Sequence, residues 1–551
     1  MIKNHLAKMN KSNLAIERIY GHTGFLLDKI ILKHSEIFGD HFELNFFDED
    51  DLKATTQTVL SKPYTTLIIG PNGTGKSILL KIISDILLDV NNLKTRDTLI
   101  DKNPALRRHN YDYFYISYYV GGHFVEVKNY NSETEFTLKK RKFDFQIYID
   151  GQIKDFQKAV LPERILVSST LLTDRFTVYK DAPEMYKYLG VRTSTSPTTA
   201  KTRNYIKRTV EHVVSSLATL DTEIINKIKD LLIFLNFEEN FTIYYLPRYK
   251  DKFFTGVLDS KAFINLFENY NDKDLGFSSR ENISYLPFGV DYYKRHVSEN
   301  PKLINEIVEF VNEIKKSGGL KKDSGSRSEY FEYDILRSEL SLDKYALLEH
   351  LSSLDLISYP SIGLTRKDNY IDLEQTSSGE YHFISTMIGI YASLKQNSII
   401  LVDEPEVSLH PNWQMRYMTF LKKIFEQFSS CQFILATHSH FLVSDLEGES
   451  SKVIGLTQGD GIEVVLFNKN LNTFGWSAEE VLLKVFKVTT SRNYYVAEKL
   501  GLILDFIADE KSTKNTIKDK FFELELDKLS GLTEEDPLKT VYDKIVSEYV
   551  S

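Results

Sequence analysis

The octapeptide Gly70–Ser77, with the sequence Gly-Pro-Asn-Gly-Thr-Gly-Lys-Ser, directly follows the apolar run Thr66–Ile69. Glycines lack a Cβ atom, so such a loop can turn tightly and direct its backbone N–H groups at an anion. The lysine of this pattern can reach the β- and γ-phosphates of a nucleotide, and the following hydroxyl can ligate Mg²⁺. The apolar residues after Ser77 predict a helix whose positive dipole end faces the same anions. The predicted nucleotide-binding residues are Gly70, Pro71, Asn72, Gly73, Thr74, Gly75, Lys76 and Ser77, and Ser77 is also a predicted Mg²⁺ ligand.

Length, composition and charge limit the class of protein. The chain has 551 residues, which is more than one ordinary domain, with 42% apolar and 26% charged residues, the balance of a soluble globular protein. It lacks both a run of ~18 apolar residues and the apolar core of a signal peptide, and Cys431 is its only cysteine. We therefore expect a cytoplasmic protein without a membrane association or an intrachain disulfide. The net charge of −9 gives no support for general binding of polyanions.

The periodicity of apolar residues predicts how the chain is organised. Residues Leu27–Phe47 predict two strands with a turn at Gly39–Asp40, and the aromatic-rich segments Tyr111–Val120 and Phe143–Ile149 predict an antiparallel sheet beside the nucleotide-binding core. Short apolar runs predict buried strands at 165–168, 399–402 and 433–436. Spacings of three and four predict helices at Tyr205–Leu217, Glu223–Leu235, Leu303–Ile314, Tyr345–Leu356, Ala478–Phe486 and Tyr494–Ile507.

Two of these later strands end in residues that a nucleotide site needs. The run Ile399–Val402 is followed by Asp403 and Glu404, and Pro405 ends the strand. A carboxylate at the carboxyl edge of the sheet can hold Mg²⁺, so Asp403 is the second predicted metal ligand, and Glu404 can polarise the attacking water. The strand that starts near Phe433 ends at His438, which we predict to sense the γ-phosphate and to support Glu404. Glu404 and His438 are the predicted catalytic residues.

A third segment supplies hydroxyls and a glycine at the start of a predicted helix. Ser377, Ser378, Gly379 and Glu380 precede the apolar residues of that helix. A helix N-terminus with such residues can form a second anion site. We therefore include these four residues among the predicted nucleotide-binding residues.

The order of these motifs resembles that of ABC-type ATPases, in the SMC-like branch. The resemblance implies that Ser377, Ser378 and Gly379 form a signature motif that grips ATP bound to the phosphate loop of a second subunit, so that two subunits enclose two ATP molecules. It implies that Asp403 and Glu404 are the Walker B pair. The sequence departs from the family at Thr376, where transporters often carry leucine, and by the absence of a glutamine after the strand Ile165–Ser168.

The fold expected from this resemblance is α/β: an ABC-type ATPase head, made of a P-loop sheet with an antiparallel β-subdomain, a large helical insertion and a helical C-terminal tail. The expected boundaries are 1–178 for the first lobe, 179–364 for the mostly helical insertion, 365–468 for the second lobe and 469–551 for the tail.

Three further segments are similar to PtuA-type ATPases of Septu and retron antiphage defence systems: Tyr188–Gly190, Asp403–Gln414 and Phe474–Leu483. This resemblance implies an oligomeric ATPase that regulates a separate HNH nuclease, PtuB, docked through the C-terminal region. It also implies an association with a retron reverse transcriptase and its msDNA in some systems. His440 is the last histidine of the chain, so the sequence after it holds no HNH pattern of its own.

Alternatives remain open at this point. An SMC-like DNA-binding ATPase in repair would carry a long coiled coil, for which the region between the lobes lacks sustained heptads. A nucleotide-locked scaffold with negligible turnover would fit the missing glutamine. The segment 315–327 is rich in lysine, glycine and serine, and it predicts either a solvated loop or a contact to a nucleic-acid backbone.

Overall fold

A computed structural model of the chain describes residues 24–46, 62–95, 113–129, 145–171, 173–179, 182–192, 202–218, 223–248, 253–268, 286–316, 320–322, 329–444, 446, 450–458, 462–466, 476–484, 494–508, 513–532 and 537–550. The chain divides into two compact units, Met1–Phe474 and Gly475–Ser551. In the basic segment 315–327, residues 317–319 and 323–327 lie outside the described part.

The strands, in chain order, are β1 (Leu26–Ser35), β2 (Gly39–Asn45), β3 (Tyr64–Ile69), β4 (Tyr113–Val120), β5 (His123–Lys128), β6 (Gln146–Ile149), β7 (Gln152–Lys154), β8 (Ile165–Ser169), β9 (Tyr186–Tyr188), β10 (Phe241–Tyr245), β11 (Lys321–Lys322), β12 (Glu329–Asp334), β13 (Ser361–Arg366), β14 (Asn369–Asp372), β15 (Ile399–Asp403), β16 (Gln432–Thr437), β17 (Ser451–Gln458) and β18 (Ile462–Leu466).

The helices are α1 (Lys76–Thr95), α2 (Thr202–Ala218), α3 (Glu223–Phe234), α4 (Ser260–Glu268), α5 (Leu286–His296), α6 (Pro301–Lys316), α7 (Leu342–Ser353), α8 (Ser378–Ser393), α9 (Pro411–Gln414), α10 (Tyr417–Ile424), α11 (His440–Ser444), α12 (Ala478–Lys484), α13 (Tyr494–Ala508), α14 (Lys514–Glu523) and α15 (Pro537–Ile545). None of the helices within the described ranges combines the length and the apolarity that a bilayer crossing requires.

A seven-stranded sheet in the order β18-β17-β3-β16-β15-β8-β9 forms the centre of the first unit. Its strands run parallel except for β18, which is antiparallel to β17. Every residue of β3, β15 and β16 is buried, as expected for parallel strands covered on both faces. Because these strands are parallel and in register, their carboxyl ends meet at one edge of the sheet, which carries the site described below.

A six-stranded antiparallel sheet, β2-β1-β4-β5-β6-β7, is the second layer. One apolar cluster joins this sheet to α1 and to the parallel sheet; it includes Ile30, Ile116, Leu80, Ile68 and Ile434. The predicted α/β fold, with a phosphate-loop sheet and an antiparallel β-subdomain, is therefore confirmed. The turn between β1 and β2 lies before Gly39, and not at Gly39–Asp40 as the sequence suggested.

The region between the two lobes holds strands as well as the helices that its sequence predicts. It contains α2 to α7, and it also contributes to a five-stranded antiparallel sheet in the order β11-β12-β10-β13-β14. The strands β10 and β12 pair directly, with Ile243 opposite Tyr333, although about ninety residues separate them in sequence. The expected domain boundaries stay a prediction.

The second unit has its own small core. Leu500, Ile503, Ile517, Phe521 and Tyr542 pack together between α13, α14 and α15. Leu502, Leu504 and Phe522 in the same unit are about half exposed. The predicted helical character of this region is confirmed within 476–484, 494–508, 513–532 and 537–550.

Candidate functional site

The phosphate loop joins β3 to α1 in a tightly packed conformation. Gly70 and Gly75 both have positive φ angles, 153° and 77°. A Cβ on Gly70 would lie 2.2 Å from the carbonyl oxygen of Leu456, and one on Gly75 would lie 2.9 Å from the ring of Phe38. Larger residues therefore do not fit at either position without a shift of the backbone or of a buried ring.

Hydrogen bonds inside the loop fix its shape. The hydroxyl of Thr74 donates to the carbonyl oxygen of Pro71 at 2.9 Å. The ammonium of Lys76 donates to the carbonyl oxygens of Gly70 at 2.8 Å and Pro71 at 3.0 Å. Burial lowers the pKa of Lys76 to about 8, against the opposing influence of nearby carboxylates. An anion beside this lysine would favour its charged form, as a phosphate does.

The carboxyl end of β15 faces the loop. Asp403 is buried, and its Oδ1 accepts a hydrogen bond from the hydroxyl of Ser77 at 2.8 Å. Burial raises the pKa of Asp403 to about 7, and the neighbouring acids Glu404, Asp174 and Glu406 raise it too, whereas the bond from Ser77 lowers it. The two predicted metal ligands therefore lie in direct contact, although 326 residues separate them in sequence.

Glu404 and His438 meet at the same edge of the sheet. The Nε2 atom of His438 lies 3.5 Å from Oε1 of Glu404, and both side chains are partly exposed. Glu404 has a φ of 49°, and its N–H donates to the carbonyl oxygen of Ala436 at 2.9 Å, so the chain leaves the sheet in a sharp turn here. Burial and the charge of Lys76 lower the pKa of His438 to about 4. A pKa this low leaves the imidazole of His438 uncharged at pH 7.

The carboxyl end of β8 contributes residues for which the sequence alone gave no role. Ser169 pairs with Asp403 across the sheet, and the hydroxyl of Thr170 donates to the carbonyl oxygen of Glu404 at 3.3 Å. Asp174, a little further along, is held by the guanidinium of Arg192, with distances of 2.9 and 2.5 Å. Among the described residues after β8, hydroxyl side chains and no glutamine lie on this side of the site.

The segment Ser377–Glu380 begins α8 and forms a capping box. The hydroxyl of Ser377 accepts from the N–H of Glu380, whose carboxylate accepts from the N–H of Ser377. Glu380 also forms an ion pair with Arg366. The capping box and this ion pair already engage Glu380, while Ser377 and Ser378 are exposed.

Gly379 lies against the loop that follows β15. A Cβ at this position would approach the carbonyl oxygen of Ser408 to 2.1 Å. Within the described residues, no hydrogen bond or ion pair joins Ser377–Glu380 to Gly70–Ser77 of the same chain. The structure therefore brings together Gly70–Ser77, Asp403, Glu404 and His438, while Gly379 lies against the loop that follows β15.

Comparison with known proteins identifies the family of this chain. The sequence profile of the AAA ATPase domain matches residues 41–443, which is most of the chain. The chain belongs to the AAA ATPase domain family. The predictions of a nucleotide-binding fold and of an ATPase are thereby confirmed. Roles for individual residues of this AAA ATPase domain remain predictions.

Two curated relatives match shorter segments. The retron Vc95 probable ATPase of Vibrio cholerae serotype O1 biovar El Tor is 31% identical over 105 residues, 19% of each chain. The Septu protein PtuA of Bacillus thuringiensis is 29% identical over 126 residues, 23% of this chain and 30% of that protein. The matched segments thus span less than a third of either relative. The resemblance to PtuA-type ATPases that the sequence indicated is confirmed at this coverage.

Among solved structures, the SMC head domain from Thermotoga maritima matches with 13% identity and a TM-score of 0.30, over 80% of this chain and 99% of that one.

Proposed function

We propose that Gly70–Ser77, Asp403, Glu404 and His438 bind and hydrolyse ATP. The observation that carries this proposal is the contact between the hydroxyl of Ser77 and the carboxylate of Asp403, 2.8 Å apart, with the Glu404–His438 pair at the same sheet edge. A phosphate cradle, a carboxylate and a water-polarising acid are the parts that phosphoryl transfer to water requires.

The donor atoms of Ser77 and Asp403 fit Mg²⁺. This ion prefers oxygen ligands, and in nucleotide sites it takes one or two from the protein and the rest from phosphates and water. The carboxyl group of Asp403 is buried among other acids, which disfavours its charged form, and a cation beside it would restore that form. When bound, Mg²⁺ would supply positive charge to the phosphate oxygens.

The protein side chains have separable roles in this proposal. Lys76 exchanges its two carbonyl partners for phosphate oxygens, which offset the cost of its burial. Glu404 orients and polarises the attacking water, and the neutral imidazole of His438 holds the Glu404 carboxylate or the γ-phosphate through Nε2. The hydroxyl of Thr170 stabilises the turn at Glu404.

The exposed signature residues lead to the proposal that two chains complete each other's sites. Ser377 and Ser378 are exposed at the start of α8, and no polar contact joins them to the phosphate loop of their own chain in the described residues. In the proposed dimer they grip the γ-phosphate on the partner's loop, with the helix N-terminus adding a favourable dipole.

Mixing two inactive variants tests this arrangement. Lys76→Ala removes the phosphate-loop lysine and leaves the signature intact, while Ser378→Arg blocks the exposed signature and leaves the loop intact. Each variant alone should hydrolyse no ATP, and an equimolar mixture should recover about a quarter of the wild-type rate if symmetric dimers form at random. A mixture as inactive as its components would rule out shared sites.

The matched relatives support a further proposal about the biological setting. A Septu protein and a retron ATPase are both among them. We propose that this chain is the cytoplasmic ATPase of an antiphage defence complex. It would bind a separate HNH nuclease, PtuB, through its C-terminal region and restrain it according to nucleotide state, in some systems together with a reverse transcriptase and msDNA.

The C-terminal unit offers a direct test of nuclease binding. Leu502, Leu504 and Phe522 are half exposed, a feature of apolar contact surfaces. Phe522→Asp in the full chain should abolish co-purification with a co-expressed PtuB-type HNH nuclease, while the exposed Lys514→Asp should not. Equal retention of the nuclease by both variants would place the interface elsewhere.

Two alternatives are distinguished by turnover. The hydroxyls at the end of β8, in place of a glutamine, favour a scaffold that holds ATP without hydrolysing it. Absence of phosphate release from the intact complex, with and without nucleic acid, would select that scaffold. Strong stimulation of hydrolysis by bare duplex DNA, without any protein partner, would select an SMC-like repair ATPase.

A further inference from the structure

Glu406 organises the strand end that carries His438. This residue lies in the loop after β15, and its Oε1 accepts a hydrogen bond from the backbone N–H of His438 at 2.6 Å. The hydroxyl of Thr437 accepts a separate hydrogen bond from the N–H of Ser439 at 2.9 Å. The Glu406 carboxylate thus anchors the first residue after β16, His438.

A second side chain makes a parallel connection. The amide of Gln414 at the end of α9 donates to the carbonyl oxygen of Leu409 at 3.0 Å. Its Oε1 accepts from the hydroxyl of Ser439 at 2.7 Å. The 404–410 loop is therefore tied to the histidine segment at two points, one on each side of the turn that Ser408 makes with a φ of 67°.

The surroundings of Glu406 differ from those of a solvent-exposed acid. The carboxylate is mostly buried, burial raises its pKa, and the charge of Glu404 adds to this effect. No lysine, arginine or histidine forms an ion pair with it within the described residues. Its Oε2 atom is buried with no hydrogen-bond partner among the described residues, so the bond that Oε1 accepts from His438 is the contact that anchors this carboxylate.

Glu406 affects the predicted catalytic residues through the position of His438. The imidazole of His438 lies 3.5 Å from the Glu404 carboxylate, and its position depends on the backbone that Glu406 holds. Loss of the 2.6 Å bond frees that backbone N–H. A displacement of about 1 Å at a catalytic group can lower a rate about 10²-fold.

We propose that Glu406 is a positioning residue for ATP hydrolysis, which acts by fixing His438 against Glu404. This inference rests on the proposed ATPase activity of the site. Glu406 contacts neither substrate nor water in this role. Its requirement is an acceptor oxygen, so glutamine at this position should serve nearly as well as glutamate.

Steady-state hydrolysis by wild type and three single variants tests the proposal. Glu406→Ala should lower kcat about 10- to 100-fold with KM for ATP changed less than about threefold, because the nucleotide cradle is untouched. Glu406→Gln should retain a rate within about threefold of wild type, since its amide oxygen replaces Oε1. Glu463→Ala, which removes an exposed acid from β18, is the matched control and should leave the rate unchanged.

The double variant separates positioning from general destabilisation. If Glu406 acts through His438, then Glu406→Ala should cause no further loss in a His438→Ala background. Independent effects that multiply would overturn the proposal, as would a wild-type rate for Glu406→Ala. A wild-type protein that releases no phosphate would instead refute the proposed function, and the inference with it. The same preparations should bind a fluorescent ATP analogue equally, which excludes unfolding as the cause.

Discussion

Replacing Asp403 with asparagine should stabilise the nucleotide-free protein increasingly as the pH rises. The wild-type carboxyl group is buried beside Glu404 and Glu406, and its pKa in the folded protein is about 7, against 3.8 for the unfolded chain. An acid whose pKa is higher in the folded than in the unfolded protein does not destabilise the fold at a pH below its unfolded-state pKa. The destabilisation grows as the pH rises and is complete once the pH exceeds the folded-state pKa. Asparagine keeps an oxygen for the hydroxyl of Ser77 but has no charge to bury.

The expected magnitude follows from these two pKa values. Between them the penalty grows by about 1.4 kcal/mol per pH unit, so it should increase by about 3 kcal/mol between pH 5 and pH 7.5. The unit Met1–Phe474 should have an unfolding entropy of about 1 kcal/mol/K at its midpoint, from average values per residue. The difference in Tm between Asp403→Asn and the wild type should therefore increase by about 2–4 °C from pH 5 to pH 7.5.

Differential scanning calorimetry in the presence of EDTA measures this gap. The transition of the larger unit should be followed for both proteins at pH 5, 6, 7 and 7.5, because the small C-terminal unit can unfold separately. Saturating Mg²⁺ and ATP should reverse the order at pH 7.5, since only the wild type gains the stabilisation from bound nucleotide. A gap in Tm that stays constant or narrows with rising pH would refute the reasoning.

Three further predictions concern the loop, the signature and a buried ion pair. Lys76→Ala should abolish ATP binding in equilibrium dialysis, while Lys514→Ala in the other unit should not. Gly379→Ala should destabilise the protein by about 1–3 kcal/mol, because its Cβ meets the Ser408 carbonyl oxygen, whereas Gly501→Ala, where nothing lies within 4 Å, should not destabilise it. Arg192→Met should lower the free energy of unfolding by about 3–5 kcal/mol because it strands the buried carboxylate of Asp174, and Asp174→Asn in the same chain should recover part of that loss.

Much of the site could be predicted from local patterns. The phosphate loop, the acids after β15 and the histidine after β16 each follow an apolar strand, and such signals do not depend on distant parts of the chain. That Ser77 touches Asp403 follows from the order of parallel strands, since their carboxyl ends share one edge. The SMC-like order of the motifs along the sequence already predicted that these strands are parallel neighbours.

Other parts depend on long-range pairing that a single sequence does not reveal. Ser169 and Thr170 enter the site because β8 pairs in register with β15, and Glu406 because its loop folds back onto Thr437 and His438. The strands β10 and β12 are short and stand far apart in sequence among helices, so their alternating pattern gave no clear signal. The sequence showed Glu406 only as an acidic residue in a recognisable loop. It gave no indication that this residue contacts His438.

Phosphate release by Glu404→Gln tests the central claim most directly. The substitution removes the water-polarising charge and keeps the shape of the side chain, so the variant should still bind ATP with wild-type affinity. Its turnover should fall by about 10²–10⁴-fold, the usual contribution of a general base. Single-turnover measurements with radiolabelled ATP on purified wild type and variant would give both quantities. A Glu404→Gln protein that releases phosphate at the wild-type rate would contradict the account.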